Sequence, residues 1–354
     1  MGYTADTVHI ATVVTLAITI AGLGLLIATH EAGHLLLARW MGMRVEVYSL
    51  GFGPRIAGFR RGETEYRISL LPFGGYCKIA GFTPDDPAAQ DPNDPGSYMN
   101  KPAWKRFLVI AAGPGVNYLL AFLIILMLYP THGFFDTSTT RVQVFPGGPA
   151  AVAGMQSGDR IERIDGVPIR SFEDLMRELQ KPAAPPVRRI EVKRGDKQVP
   201  LLVRPSGGRI QVKQFNELRK LSWTAAVPRA ARDVWALNGA AVSGIVGLFQ
   251  GRGGASIAGP IGIVTQASAE VRRGAADFLA TLAFISVSLG LFNFLPVPAL
   301  DGGRLVFLGY ELIFRRRVDP RKETMVHLVG FLLLLAAVIG VTVFSDLPRL
   351  FRGG

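Results

Sequence analysis

Residues 10–40 read IATVVTLAITIAGLGLLIATHEAGHLLLARW. The first 20, Ile10 to Thr29, carry no charge and run straight into His30. About 20 apolar residues take a helix across a bilayer core. Met1 to Val8 holds no Lys or Arg, the apolar run is longer than a signal-peptide core, and no A-x-A site follows. A retained transmembrane helix is predicted. His30-Glu31-Ala32-Gly33-His34 then forms an H-E-x-x-H pattern. Positions four apart share a helix face, so both imidazoles can reach one metal ion and Glu31 can act as general base on a water beside it. Imidazole suits zinc, and catalytic zinc keeps three protein ligands and an open position. The competing reading is a pair of histidines merely hydrogen-bonded near the interface. Ionisable groups next to an apolar span are costly, which favours function.

Three more apolar stretches follow, at about Phe107 to Tyr129, Phe278 to Leu295 and Val326 to Val343. The loop between the first two spans carries Arg39, Arg44, Arg55, Arg60, Arg61, Arg67, Lys78, Lys101, Lys105 and Arg106. The loop between the last two carries Arg304, Arg315, Arg316, Arg317, Arg321 and Lys322. Excess Lys and Arg in short loops marks the cytoplasmic side, so both termini and the long middle segment are expected outside. The net charge of +12 suits the anionic face of a membrane or a nucleic acid. The basic residues crowd beside apolar stretches and no nucleic-acid-binding motif occurs, so no nucleic-acid partner is expected. One cysteine, Cys77, rules out an intramolecular disulfide.

The third span runs into Asn293-Phe294-Leu295-Pro296-Val297-Pro298-Ala299-Leu300-Asp301-Gly302-Gly303. Asp301 and His34 are expected at similar depth near the cytoplasmic side. A carboxylate is an accepted zinc ligand, so Asp301 is the candidate third ligand; alternatively it only opens an Asp-Gly-Gly turn. Pro296 and Pro298 should break the helix and set Asp301 on non-helical backbone. Asn117 and Asn293 are in-span amides that can bind substrate backbone or polarise a carbonyl, or tie helices together.

Between the second and third spans, Arg141 to Pro205 reads as a small soluble domain. Short β-like runs (Arg141 to Phe145, Arg189 to Arg194, Val199 to Val203) flank a helix-like stretch, Ser171 to Gln180, with Ser171 and Asp174 in an N-cap pattern. Gly158-Asp159 and Asp165-Gly166 signal turns. Ala231 to Gln250 is read as a helix lying at the outer interface. Asp85 to Gly96 is read as a mobile Pro/Asp-rich loop.

The chain resembles the site-2 protease family, specifically the bacterial regulator-of-sigma-E type. The likeness rests on His30 to His34, Gly51-Phe52-Gly53-Pro54, Pro72-Phe73-Gly74-Gly75-Tyr76, Ala112-Gly113-Pro114 with Asn117, Gly259-Pro260-Ile261-Gly262, and Asn293 through Asp301-Gly302-Gly303. It implies that His30, His34 and Asp301 hold zinc, that Glu31 is the base, and that the lipid-bilayer-embedded enzyme cuts single-span membrane proteins after an earlier extracytoplasmic cut. Anti-sigma factors and signal-peptide remnants are the implied substrates, and the bacterial cytoplasmic (inner) membrane the implied location. Gly147-Gly148-Pro149-Ala150, Ala153-Gly154 and Gly158-Asp159-Arg160-Ile161 resemble a PDZ domain; only one such domain is found, where some relatives carry two. Gly51-Phe52-Gly53 and Thr64 to Ser69 resemble the family's membrane-associated β-hairpin. An edge of it, with Gly53, Tyr66 and Ile68 as candidate substrate-binding residues, is expected to take an unwound substrate as an added strand.

The expected fold class is therefore a multi-pass α-helical membrane protein of about four spans. It has a membrane-associated β-hairpin region and an inserted extracytoplasmic PDZ-like α+β domain. The expected divisions are 1–40, first span with H-E-x-x-H; 41–102, cytoplasmic-side loop with the hairpin; 103–130, second span; and 131–205, PDZ-like domain. They continue with 206–275, interfacial segment; 276–304, third span with L-D-G-G; 305–325, basic loop; and 326–354, fourth span and tail. Two other functions compete: a membrane-anchored metallopeptidase cutting peptides at the cytoplasmic surface, and a non-catalytic PDZ-containing scaffold. Glu31 argues against the scaffold, which needs no base.

Overall fold

A computed structural model describes residues 5–135, 140–181, 185–207, 209–215, 218–250 and 259–348. In chain order the elements are α1 (Ala5–Trp40), β1 (Val45–Arg61), β2 (Thr64–Ile79), α2 (Pro87–Gln90), α3 (Ala103–Thr131), β3 (Phe134–Phe135), β4 (Val142–Val144), α4 (Pro149–Val152), β5 (Arg160–Ile164) and β6 (Val167–Pro168). There follow α5 (Phe172–Leu179), β7 (Arg188–Arg194), β8 (Lys197–Val203), β9 (Val212–Gln214), β10 (Leu218–Arg219), α6 (Trp223–Phe249), α7 (Pro260–Arg273), α8 (Ala275–Phe294), α9 (Asp301–Phe314) and α10 (Pro320–Val341). The chain forms two compact units, residues 1–128 with 223–354, and Tyr129–Ser222.

Among the described residues, four helices are long and apolar enough to cross a membrane: Ile10–Trp40, Ala103–Thr131, Ala275–Phe294 and Pro320–Asp346. These are the four expected spans, in a multi-pass membrane protein. Glycines let them approach closely, as membrane helices require without a hydrophobic drive between them. A methyl on Gly33 of α1 would sit 2.5 Å from the Ala112 carbonyl oxygen of α3. One on Gly22 would sit 2.6 Å from the Phe278 ring of α8. A helix covers the stretch read at Ala231 to Gln250 as far as Phe249, as α6, and begins earlier, at Trp223.

The hairpin is more elaborate than the sequence suggests. Both long strands bend, so four segments form one sheet. Residues 45–50 pair on one side with 75–79 (Val45 with Ile79, Leu50 with Gly75). On the other side they run in step with 65–68 (Val47 with Glu65, Leu50 with Ile68). Residues 64–69 also pair with 55–61, Arg61 with Thr64 through Arg55 with Ser69. The segment order is 75–79, 45–50, 64–69, 55–61. Gly51 makes the bend in β1: its φ is +87°, and a side chain there would strike the Leu71 carbonyl.

The loop expected to be mobile, Asp85 to Gly96, is ordered by its own aspartates. Asp86 caps α2 through the Ala88 N–H at 2.9 Å. Asp94 accepts from both terminal nitrogens of Arg44 at 2.7 and 3.1 Å. The Arg44 guanidinium and the Gly96 N–H hold the Asp94 carboxyl below its usual range.

The unit Tyr129–Ser222 is an α+β fold. A four-stranded sheet of order β6-β5-β7-β8 packs Ile161, Ile164, Ile190, Val192 and Val203 against Leu175 and Leu179 of α5. Ser171 caps α5 by accepting the Asp174 N–H at 3.1 Å, as read from the sequence. Asp165 and Gly166 both have positive φ, 47° and 83°, and join β5 to β6 as an Asp-Gly turn. Strand β9 pairs with β4, so the unit runs past Pro205.

Candidate metal centre

His30 and His34 stand one turn apart on α1, buried at 8% and 7% exposure. Asp301 opens α9, where the helix dipole favours a carboxylate. The expected non-helical Asp301 is thereby corrected. The chain leaves α8 at Phe294 and re-enters a helix at Asp301, so the prolines break the span but only Leu295 to Leu300 stay irregular. The glycine pair after Asp301 makes this tight return feasible. A side chain on Gly302 would strike the Leu295 carbonyl, and one on Gly303 would lie 2.6 Å from Val297 O.

Three atoms converge. His30 Nε2 lies 3.1 Å from Asp301 Oδ2, His34 Nε2 lies 3.3 Å from the same oxygen, and the two Nε2 atoms are 3.3 Å apart. The hydrogen positions follow from the outer contacts. His34 Nδ1 is 2.9 Å from the Val109 carbonyl. A carbonyl only accepts, so Nδ1 carries the proton and Nε2 is bare. On His30, Nδ1 meets the Asn117 amide at 3.1 Å. With Asn117 Nδ2 on that nitrogen, Asn117 Oδ1 is buried without a donor. Turned over, the amide presents Oδ1 to an Nδ1 proton, the tautomer that bares Nε2 for a metal. Asp301 Oδ2 is likewise buried with no hydrogen-bond partner. In that tautomer three acceptors face one another with no proton between them, an arrangement suited to a bound cation.

Zinc fits. Ligands spaced tetrahedrally at bonds of 2.0–2.1 Å stand roughly 3.3–3.4 Å apart, and the observed triangle has edges of 3.1–3.3 Å. Two imidazoles and one carboxylate leave a fourth position free, as in catalytic zinc sites. Helix α3 makes room for the cluster through Gly113, where a side chain would collide with His34 and lie 2.9 Å from His30 Cε1.

These residues line a cleft of about 340 Å³ together with Glu31, Gly75, Tyr76, Cys77, Phe82, Asn293, Ala299 and Arg304. Glu31 lies against residues 75–77; a methyl on Gly75 would touch its Cγ at 3.2 Å. Asn293 donates Nδ2 to the Leu289 carbonyl at 3.0 Å, and its side-chain oxygen remains for the cleft. The other expected substrate contacts fall elsewhere. Asn117 is fully buried behind His30. Tyr66 and Ile68 belong to a central segment paired on both sides, so their backbone cannot accept an added strand, and Gly53 sits at a bend outside the cleft. Sequence reasoning missed the edge 75–79 and Arg304. The Gly74-Gly75-Tyr76 run was the available signal for the first, and the position three after Asp301 for the second.

The pattern of peptidase family M50 matches residues 18–337, which include every residue of this cleft. The chain belongs to that family. A protein of Clostridium perfringens (strain 13), provisionally named zinc metalloprotease CPE1693, is 31% identical over 325 residues, covering 90% of this chain and 94% of its own. One of Rhizobium meliloti (strain 1021), provisionally named zinc metalloprotease R01501, is 32% identical over 350 residues, covering 91% and 92%. The regulator of sigma-W protease RasP of Bacillus subtilis (strain 168) is 28% identical over 413 residues, covering 93% and 97%. This M50 peptidase is a zinc metalloprotease of the site-2 type, acting within the membrane that its four apolar helices cross.

Proposed function

We propose that the protease cuts single-span membrane proteins inside their apolar segment, after an earlier cut has trimmed their outer part. We further propose that its clients include an anti-sigma factor or signal-peptide remnants. The lining of the cleft carries this reading: a sheet edge runs beside Glu31 and the metal centre. A transmembrane helix hides its peptide bonds in its own i to i−4 hydrogen bonds, out of reach of Glu31 and the metal centre. A transmembrane substrate must therefore enter unwound, and its freed N–H and C=O groups need partners, since each unpaired one costs several kcal/mol in lipid. Segment 75–79 is an edge of the sheet and lines the cleft beside Glu31. Added there as a strand, the substrate backbone would be paired and drawn straight past the metal centre. Asn293 supplies a further acceptor.

A zinc ion held by His30, His34 and Asp301 would polarise the scissile carbonyl and acidify a water. Glu31 takes the proton of the attacking water on its carboxylate and returns it to the leaving amide nitrogen. Val109 and Asn117 keep both imidazoles facing inward. The likeness to a regulator of sigma-W protease supports a sigma-factor-linked client.

The loops rich in Lys and Arg face the cytoplasm in this reading, and the unit Tyr129–Ser222 is a PDZ-like module outside the cell. The exposed Trp223 and Trp235 of α6, at 57% and 78% exposure, suit a helix resting at the outer interface. The test is reconstitution with a panel of single-span proteins and mapping of the cuts. Glu31→Gln should keep zinc and lose cleavage by roughly 10²- to 10⁴-fold. Cuts confined to soluble loops would instead favour a surface metallopeptidase.

A further inference from the structure

Asp301 is delivered by an irregular loop, Leu295 to Leu300, that adopts an unfavourable backbone. Ala299 has φ of +80°, a left-handed conformation in which its Cβ is crowded. The loop closes on itself through Val297 N–H to Leu295 O at 2.7 Å and Leu300 N–H to Val297 O at 3.2 Å. The Ala299 N–H donates outside the loop, to Nδ1 of His327 on α10 at 3.1 Å. His327 is 8% exposed and sits in the apolar run Met325 to Ala337. Gly330, three positions on, presses against the same loop: a methyl there would lie 2.8 Å from the Pro298 carbonyl carbon. The His327 ring also backs onto the first turn of α9, its Cε1 3.1 Å from where a Gly303 Cβ would stand.

The remaining ring nitrogen gives a second clue. Nδ1 accepts, so Nε2 carries the hydrogen, and it is buried with no partner among the described residues. An unpaired buried donor is unfavourable. What recommends a histidine here is therefore the bond made by Nδ1. We propose that His327 is a positioning residue of the metal centre: it pins the left-handed Ala299 and thereby fixes where Asp301 presents its carboxylate. This rests on the zinc-protease chemistry assigned to the cleft.

The test uses the full-length protein in detergent, with zinc affinity measured by competition with a chromogenic chelator and cleavage followed on a single-span reporter. His327→Leu should weaken zinc affinity and lower kcat, each by roughly 10- to 100-fold as for lost outer-shell partners, with KM unchanged. His327→Asn places an acceptor where Nδ1 stands and should restore both. Ala299→Gly in the His327→Leu background should restore part, because glycine takes a positive φ freely. Wild-type zinc affinity and kcat in His327→Leu would overturn the proposal, as would equal loss in His327→Asn. Should His327→Leu not fold, His327→Gln decides, since its amide reaches the level of Nε2: loss in Gln with retention in Asn supports the role, and equal behaviour refutes it. A wild type that binds no zinc would remove the metal centre itself, and this proposal with it.

Discussion

The salt bridges of Tyr129–Ser222 and the metal centre of the membrane unit bury charged groups in opposite ways. In Tyr129–Ser222, Arg188 at 1% exposure meets Asp165 and Glu178. Asp159, at 2%, accepts from Arg194 at 2.7 and 2.8 Å. Each charge finds its opposite nearby, as buried ions must if the fold is to keep them. At the metal centre, His30, His34 and Asp301 turn their acceptors toward each other and leave the opposite charge to come from outside, unlike the buried Arg106, which Glu311 balances within the same unit. Self-sufficient buried pairs hold a structure together, whereas an unbalanced set waits for a ligand.

The sharpest way to break this contrast is to compare Asp301→Asn with Asp159→Asn. Asp301→Asn should abolish cleavage and weaken zinc binding by more than the roughly 100-fold that loss of an outer partner costs. Its metal-free thermal stability should hold or rise, because the new amide can donate to a bare Nε2. A drop in metal-free stability would mean that Asp301 is structural after all. Asn117→Leu, which removes the partner of His30, should weaken zinc binding by roughly 10- to 100-fold with the helices still packed. An unchanged zinc affinity there would reduce Asn117 to a helix tie.

Asp159→Asn should leave zinc binding alone and destabilise Tyr129–Ser222 by about 2 kcal/mol, a figure discounted because Arg194 is partly exposed. Hydrogen exchange confined to that unit in the full chain would read it. The smallest effect is a dependence on pH. Burial pushes the Asp159 carboxyl up, but the Arg194 guanidinium and the Gln156 N–H outweigh it and hold it below the usual range. The stability it contributes is therefore present above about pH 4 and drains away as pH falls through its lowered folded-state value. Protection of the unit that is flat from pH 5 to pH 2 would contradict this.

Much of the site is legible in residue order because helix periodicity converts spacing into direction. His30, Glu31 and His34 announce themselves by position, and the four spans by length. Asp301 is legible as a lone carboxylate after a proline-broken helix, though not its place at the start of α9, since two prolines do not say where the next helix begins. The sheet is where residue order fails. Alternation tells which face a side chain takes, not which segment lies beside it, so Tyr66 and Ile68 read as an edge when they lie between 45–50 and 55–61. The bond from His34 to Val109 is invisible in principle, because a main-chain carbonyl carries no residue signature.

A sheet edge that takes only an extended chain beside the metal centre would also decide who is served. Recognition would then need no motif, since any client would first have to surrender part of its own coil. Sturdy, leucine-packed anchors of the cell's resident proteins would be turned away by their stiffness. Brittle segments, weakened by glycine, proline or asparagine, would be admitted. Selectivity of this kind would be mechanical, and it would spare the membrane's own population without a list of names.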